Sequence, residues 1–293
     1  MLQSACKALL VTVILAIPIA EAREKSLAVK LDAVVQEGMS RTQTQGLAIA
    51  VIDDGKVELV KTWGRRNGNG DPLTTETVMY GASLTKAVFA YTVMQLAQEG
   101  KIDLDTPIAS YLPKPLPEYT EEEEKYAAWQ YLAGDERWRQ LTPRMLLTHS
   151  SGFSNFGFLE PDGKLKFHFD PGARYAYSGD GLILLQFVIE RGLGIDVGME
   201  MQRRVFDRFG MPNTSMIWRP DFANNLADGW KADGSIEPHD ERSKTRAAGS
   251  MDTTIADFAK FSAGYIRGDG LTEKSRRELT APQLPITTAS QFP

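Results

Sequence analysis

The stretch from Ser83 to Glu99 constrains this chain more than any other. It holds no Gly or Pro, carries apolar residues nearly all round, and stops at Gly100. A helix apolar on most faces has to be surrounded, so the rest of the chain must wrap this one. Within it, Lys86 stands among Leu84, Ala87, Val88, Phe89 and Ala90. A lysine there must be paired or must surrender its charge.

The flanking sequence supplies the wrapping. Ser26 to Gly38 reads as an amphipathic helix carrying Leu27, Val29, Leu31, Val34 and Val35. Gly46 to Ile52, the turn Asp53-Asp54-Gly55, and Val57 to Trp63 read as a β-hairpin. Thr142-Pro143 opens a short helix with Pro at its first position. Further helices are expected over Gly181 to Arg191, Val197 to Phe209 and Ile255 to Ile266, the last behind the cap Thr254-Ile255-Ala256-Asp257. Glu121 to Glu124 reads as a solvated helix start. A lone hairpin is at best marginally stable in water, and the chain offers no obvious third strand to pair with it.

With 293 residues, 42% hydrophobic and 24% charged, the chain has ample length for a large core. The net charge of −5 and the lack of a long basic run make nucleic acid and anionic membrane poor partners, and no nucleic acid is expected. Lys7, the apolar stretch Ala8 to Ala20 and the end Ala20-Glu21-Ala22 make a secretory signal peptide over residues 1–22, with the main domain at 23–293. An uncleaved anchor is the other reading, although the run is shorter than the ~20 residues of a membrane span. Cleavage after Ala22 would remove Cys6, the one cysteine, and leave a periplasmic or secreted protein with no stable membrane span and no thiol chemistry.

Ser83 lies one helical turn before Lys86, and residues three apart meet on a helix surface. A hydroxyl at a helix N-terminus beside a lysine biased towards its neutral amine is an activated nucleophile. The helix dipole there favours a developing oxyanion. The spacing alone also fits a capping serine followed by a lysine that reaches solvent.

The wider context resembles the penicillin-recognising serine hydrolases, whose nucleophile motif is Ser-x-x-Lys. Gly81-Ala82-Ser83-Leu84-Thr85-Lys86, Gly100 to Ile108, Leu146 to Gly152, Pro171 to Ser178 and Ala248 to Thr254 are similar to that family's blocks and run in its order. The match is to the class C β-lactamase and esterase branch, which uses Tyr-x-Asn. Tyr177-Ser178-Gly179 takes that place, so the resemblance implies Tyr177 as a base acting with Lys86, with Tyr175 as the competing choice. A phenol, with a reference pKa of about 10, needs nearby positive charge for that role. Gly179 departs from the pattern and removes an amide which, by resemblance, would help bind a β-lactam. The third family motif, Lys-Thr-Gly or His-x-Gly on a strand, does not follow the Ala248 block. The resemblance therefore implies a chain truncated at its C-terminus, with one oxyanion donor expected from Ser83 N–H and the other from a strand not in the sequence.

The expected fold is α/β (α+β) of the β-lactamase/transpeptidase type, a helical lobe packed on an antiparallel sheet with its C-terminal strands missing. The expected activity is acyl transfer to water on small-molecule esters, amides or lactams, with Ser83, Lys86 and Tyr177 as catalytic residues. Esterase activity comes first, and β-lactamase or D-Ala-D-Ala-type peptidase activity second. A module that binds cell wall without turnover is the rival of another class. No cofactor and no metal are expected: His149, His168 and His239 are widely separated, and no His-Glu-x-x-His or Gly-x-Ser-x-Gly occurs. His149 reads as a structural hydrogen-bonding residue near the cleft. Trp129 and Trp138 flank an insertion expected to border the substrate entrance. The sequence does not set the oligomeric state.

Overall fold

In a computed structural model, which describes residues 17–120 and 126–292, a helical body surrounds the helix that the sequence marks as interior. The elements are α1 (Ile17–Thr42), β1 (Gly46–Asp53), β2 (Lys56–Gly64), β3 (Met79–Tyr80), α2 (Thr85–Gln98) and α3 (Pro143–Leu147). They continue with α4 (Gly179–Phe187), α5 (Val197–Met201), α6 (Asp207–Phe209), β4 (Gly229–Trp230), β5 (Ile236–Glu237), β6 (Asp252–Thr253), α7 (Ile255–Arg267) and α8 (Glu273–Thr280). Most of the expected signal peptide, with Cys6, lies outside the described residues, as does the run Glu121 to Glu124. α1 extends the expected first helix in both directions. Val35 is buried, whereas Val29 and Val34 are exposed, so only one side of α1 meets the rest of the molecule.

α2 is the centre of the core. Val88, Phe89, Tyr91 and Val93 have no accessible surface, and Leu96 almost none. α4 is apolar all round for the same reason: Leu182, Ile183, Leu184 and Leu185 are buried. Tyr91 of α2, Phe209 of α6, and Phe261 and Tyr265 of α7 form an aromatic cluster with centroids 5.5 to 6.0 Å apart. The C-terminal end of α2 is tied to the helical turn Gln202–Phe206 that follows α5. Arg204, 4% exposed, binds Glu99 through Nη2 at 2.8 Å and also pairs with Glu200.

The hairpin forms in the expected place, with Gly46 opposite Gly64 and Asp53 opposite Lys56. Among the described residues it gains no third strand. Its support is helical instead: α7 lies against both strands, and the Arg267 guanidinium binds the Gly55 carbonyl at the turn. α1 closes on the hairpin through Asp32, which accepts from Trp63 Nε1 at 2.8 Å and pairs with Lys61 at 2.7 Å.

The caps account for the helix boundaries. Thr142, Ser178 and Thr254 each accept a backbone N–H from the first turn that follows. α7 stops at Gly268, whose φ of +74° favours glycine. Trp129 and Trp138 are packing residues: both are 2% exposed and belong to the core, and Trp129 packs on Phe187 at 5.6 Å. No helix among the described residues is long and apolar enough to cross a membrane.

Candidate active site

Ser83 sits in a 3₁₀ turn, Ala82–Leu84, that leads into α2. The turn is forced. Gly81 N–H donates to Met251 O at 2.8 Å, and Ala82 adopts a left-handed φ of +43°, a strained conformation for a residue with a side chain. Thr85 holds it there, donating to Ala82 O at 2.6 Å while accepting from Met251 N–H at 3.1 Å.

The turn places Ser83 Oγ between two polar groups. Lys86 Nζ donates to it at 3.1 Å and Tyr177 Oη at 2.8 Å. The structure therefore brings together the three residues named from the sequence, and it selects Tyr177 over Tyr175 for the contact with Ser83. Lys86 is 8% exposed, and desolvation lowers its pKa below the usual 10.5 while its contact with Tyr177 partly offsets this. It does not reach for solvent: Nζ lies 4.9 Å from the Tyr177 ring centroid and donates to Ala248 O at 2.6 Å. The Ala248 carbonyl is a member of the site that sequence reasoning missed. A backbone oxygen leaves no signature in residue identity.

Tyr177 is aimed from behind by His149. The two rings stack at 4.5 Å with an interplanar angle of 24°. His149 Nδ1 accepts the Ser178 N–H at 3.0 Å, so the neutral ring carries its proton on Nε2. Burial, with the nearby charge of Lys86, pushes the His149 pKa down to about 4. A base that weak, already accepting a backbone N–H, is a structural residue, as the sequence reading has it.

Gly179 has a local cause. A side chain there would place its Cβ 2.3 Å from a ring carbon of Phe156, a contact no real structure tolerates. Asn155 occupies the adjoining space, and its Oδ1 accepts the Gly179 N–H at 3.0 Å. The loop before α4 has thus taken the room that an asparagine at position 179 would need.

No group of His, Cys, Asp and Glu among the described residues is arranged to hold a metal ion. The profile of the beta-lactamase family matches residues 31–292. The chain belongs to the beta-lactamase family. Lovastatin esterase of Penicillium rubens is 27% identical over 231 residues, which cover 68% of this chain and 56% of that protein. Among solved structures, the D-alanine carboxypeptidase AmpC of Burkholderia cenocepacia superposes with a TM-score of 0.69 at 21% identity, covering 87% of this chain and 68% of that one. A class C beta-lactamase gives 0.69 at 20% identity, covering 88% and 69%. The family's fold, a helical region combined with antiparallel strands, is the fold of this chain. Family members that match it include both esterases and β-lactamases.

Proposed function

We propose that this protein is a serine hydrolase that cleaves small esters through an acyl-enzyme. One observation carries the reading: Ser83 Oγ lies within hydrogen-bond distance of both Lys86 Nζ and Tyr177 Oη, in a site where the amine is poorly hydrated. With Lys86 in its neutral form, the Tyr177 hydroxyl passes its proton to the amine, which becomes the ammonium, as it accepts the proton of Ser83. Ser83 Oγ then attacks the substrate carbonyl. The resulting oxyanion lies at the N-terminal end of α2, where the Ser83 N–H and the helix dipole favour negative charge. The same two groups return the proton to the departing alkoxide, and water releases the acyl group by the reverse route.

Two observations favour an ester over a β-lactam. Position 179 is a glycine with the Phe156 ring against it rather than an asparagine, and a relative matched over 68% of this chain is named as an esterase. The apolar run after Lys7 supports a periplasmic or secreted setting for the reaction.

Hydrolysis of p-nitrophenyl acetate and butyrate, with labelling by a fluorophosphonate and by a fluorescent penicillin, tests the proposal. Wild-type protein is expected to turn over the esters and take up the phosphonate, and Ser83→Ala to do neither. Folded wild-type protein that reacts with none of these probes would overturn the reading in favour of a binding module.

A further inference from the structure

The segment that anchors Lys86 is tied along its length to the residues around Ser83. Met251 O accepts from Gly81 N–H at 2.8 Å, and Tyr80 pairs with Asp252 in the β3–β6 ladder. Just before these, Ala248 O receives Lys86 Nζ at 2.6 Å and Gly249 O receives Tyr80 Oη at 2.6 Å. Adjacent peptide units of one segment thus hold the lysine and the tyrosine that flank the nucleophile turn. Residue 249 is a glycine, and its own backbone preferences do little to fix the orientation of that carbonyl.

Tyr80 is itself braced. The Arg242 guanidinium lies 4.0 Å from its ring centroid and donates from Nη2 to Asp252 Oδ1 at 2.8 Å. Asp252 is fully buried, and its other oxygen faces His239 Nε2 at 3.3 Å. Arg246 and Asp240 complete the charged surroundings of the phenol. Burial raises the Tyr80 pKa above its usual 10, so the hydroxyl keeps its proton and remains a donor across the working pH range.

We infer that Tyr80 is a positioning residue for Lys86: its hydroxyl fixes the Ala248–Gly249 peptides so that the Ala248 carbonyl holds the amine at Ser83. The inference rests on the serine hydrolase reading of the site and adds to it a residue outside the Ser83, Lys86 and Tyr177 contacts. A lysine has a flexible four-carbon stem, and its ammonium is a point charge with no preferred plane. Its aim depends on the acceptor it finds. The N–H groups of Gly249 and Ser250 hold the other edge of these peptides, donating to Arg246 O at 3.0 and 3.1 Å. If the Gly249 carbonyl is released, the Ala248 carbonyl keeps only that restraint, and the amine loses part of its direction and of the support for its charged form.

Tyr80→Phe keeps the ring beneath Arg242 and removes only the hydroxyl. The groups facing Lys86, namely Ser83, Tyr177 and His149, remain in place. The expected result is a kcat for p-nitrophenyl butyrate lower by about tenfold, in keeping with a catalytic group displaced by a fraction of an ångström. KM and Tm are expected to stay unchanged. The titration of Lys86, followed by NMR of protein carrying ¹³C-labelled lysine, is expected to move to lower pH, because losing an acceptor disfavours the ammonium. Wild-type kcat in the variant, or a reduced kcat with an unmoved Lys86 titration, would overturn the inference. The titration needs no turnover. If wild-type protein hydrolyses no ester, the proposed function fails on its own test, and an unmoved titration still refutes the role of Tyr80.

Discussion

His149 and Lys86 show how burial sets chemistry residue by residue. Both are pushed towards their neutral forms, and the consequences differ. In the proposed mechanism the neutral amine of Lys86 is the working form, so activity should rise with pH through a midpoint below the ordinary 10.5 of lysine. For His149 the shift is a matter of stability. Its pKa is 6.5 when unfolded and about 4 in the folded protein, so between those values the unfolded chain binds more protons. Above pH 6.5 both states are neutral and the residue adds no pH dependence. As the pH falls from 6.5 to about 4, up to roughly 3 kcal/mol of folding stability should be lost through this residue. Buried Asp180, its pKa raised to about 6, gains stability over the same range and masks the loss in the total. The measure is therefore wild type against His149→Gln: from pH 7 to pH 4.5 in urea, wild type should lose more stability than the variant. The Ser83–Lys86 relation was legible in the sequence because one helical turn separates the two residues. The anchoring carbonyl of Ala248 was not, since it comes from a segment with no periodicity that points at the site.

Among the elements, the start of α4 shows how a departure from the family pattern is built into local packing. Ser178 caps the helix, Asn155 takes the next N–H, and the Phe156 ring fills the space beside Gly179. Gly179→Asn should therefore destabilise the protein by about 1–3 kcal/mol through overpacking. Phe156→Ala in the same chain should recover part of that loss. Chemical denaturation of the single and double variants gives the coupling, and additive losses would show that the two positions are independent. The sequence showed that the asparagine was missing but could not show what stood in its place. Helix starts at Thr142 and Thr254 were readable because a side-chain oxygen facing a free N–H is a local device, whereas α4, expected from Gly181, starts at Gly179 behind the Ser178 cap. The pairings β3–β6 and β4–β5, two residues on each strand, were not readable. They follow from tertiary placement, and two residues are too few to show an alternating pattern.

Across the whole molecule, ionic ties join elements that no sequence pattern connects. Arg204 is the most buried of these cations, shared between Glu99 at the end of α2 and Glu200 on α5. Removing one carboxylate leaves a buried guanidinium partly compensated, whereas an apolar residue of similar length removes the charge itself. Glu200→Ala should therefore cost more stability than Arg204→Met, with the difference read from urea midpoints at matched slopes. The interior character of α2 was plain from its composition, and so was the hairpin. What covers the hairpin was harder to foresee. The sequence reading looked for strands, and among the described residues α7 lies across it, using a face whose partner could not be read from the helix alone.

The strained turn at Ala82 and the amine of Lys86 are both held by residues near position 250, some 160 positions along the chain. Contacts that distant close late, because the chain entropy of bringing the ends together has to be met first. While the protein is being synthesised, a nascent chain that has released α2 but not the Ala248 segment carries the serine and the lysine with nothing to aim them. If Ser83 is the nucleophile proposed, a half-made molecule therefore carries it without the contacts that aim Lys86 at it.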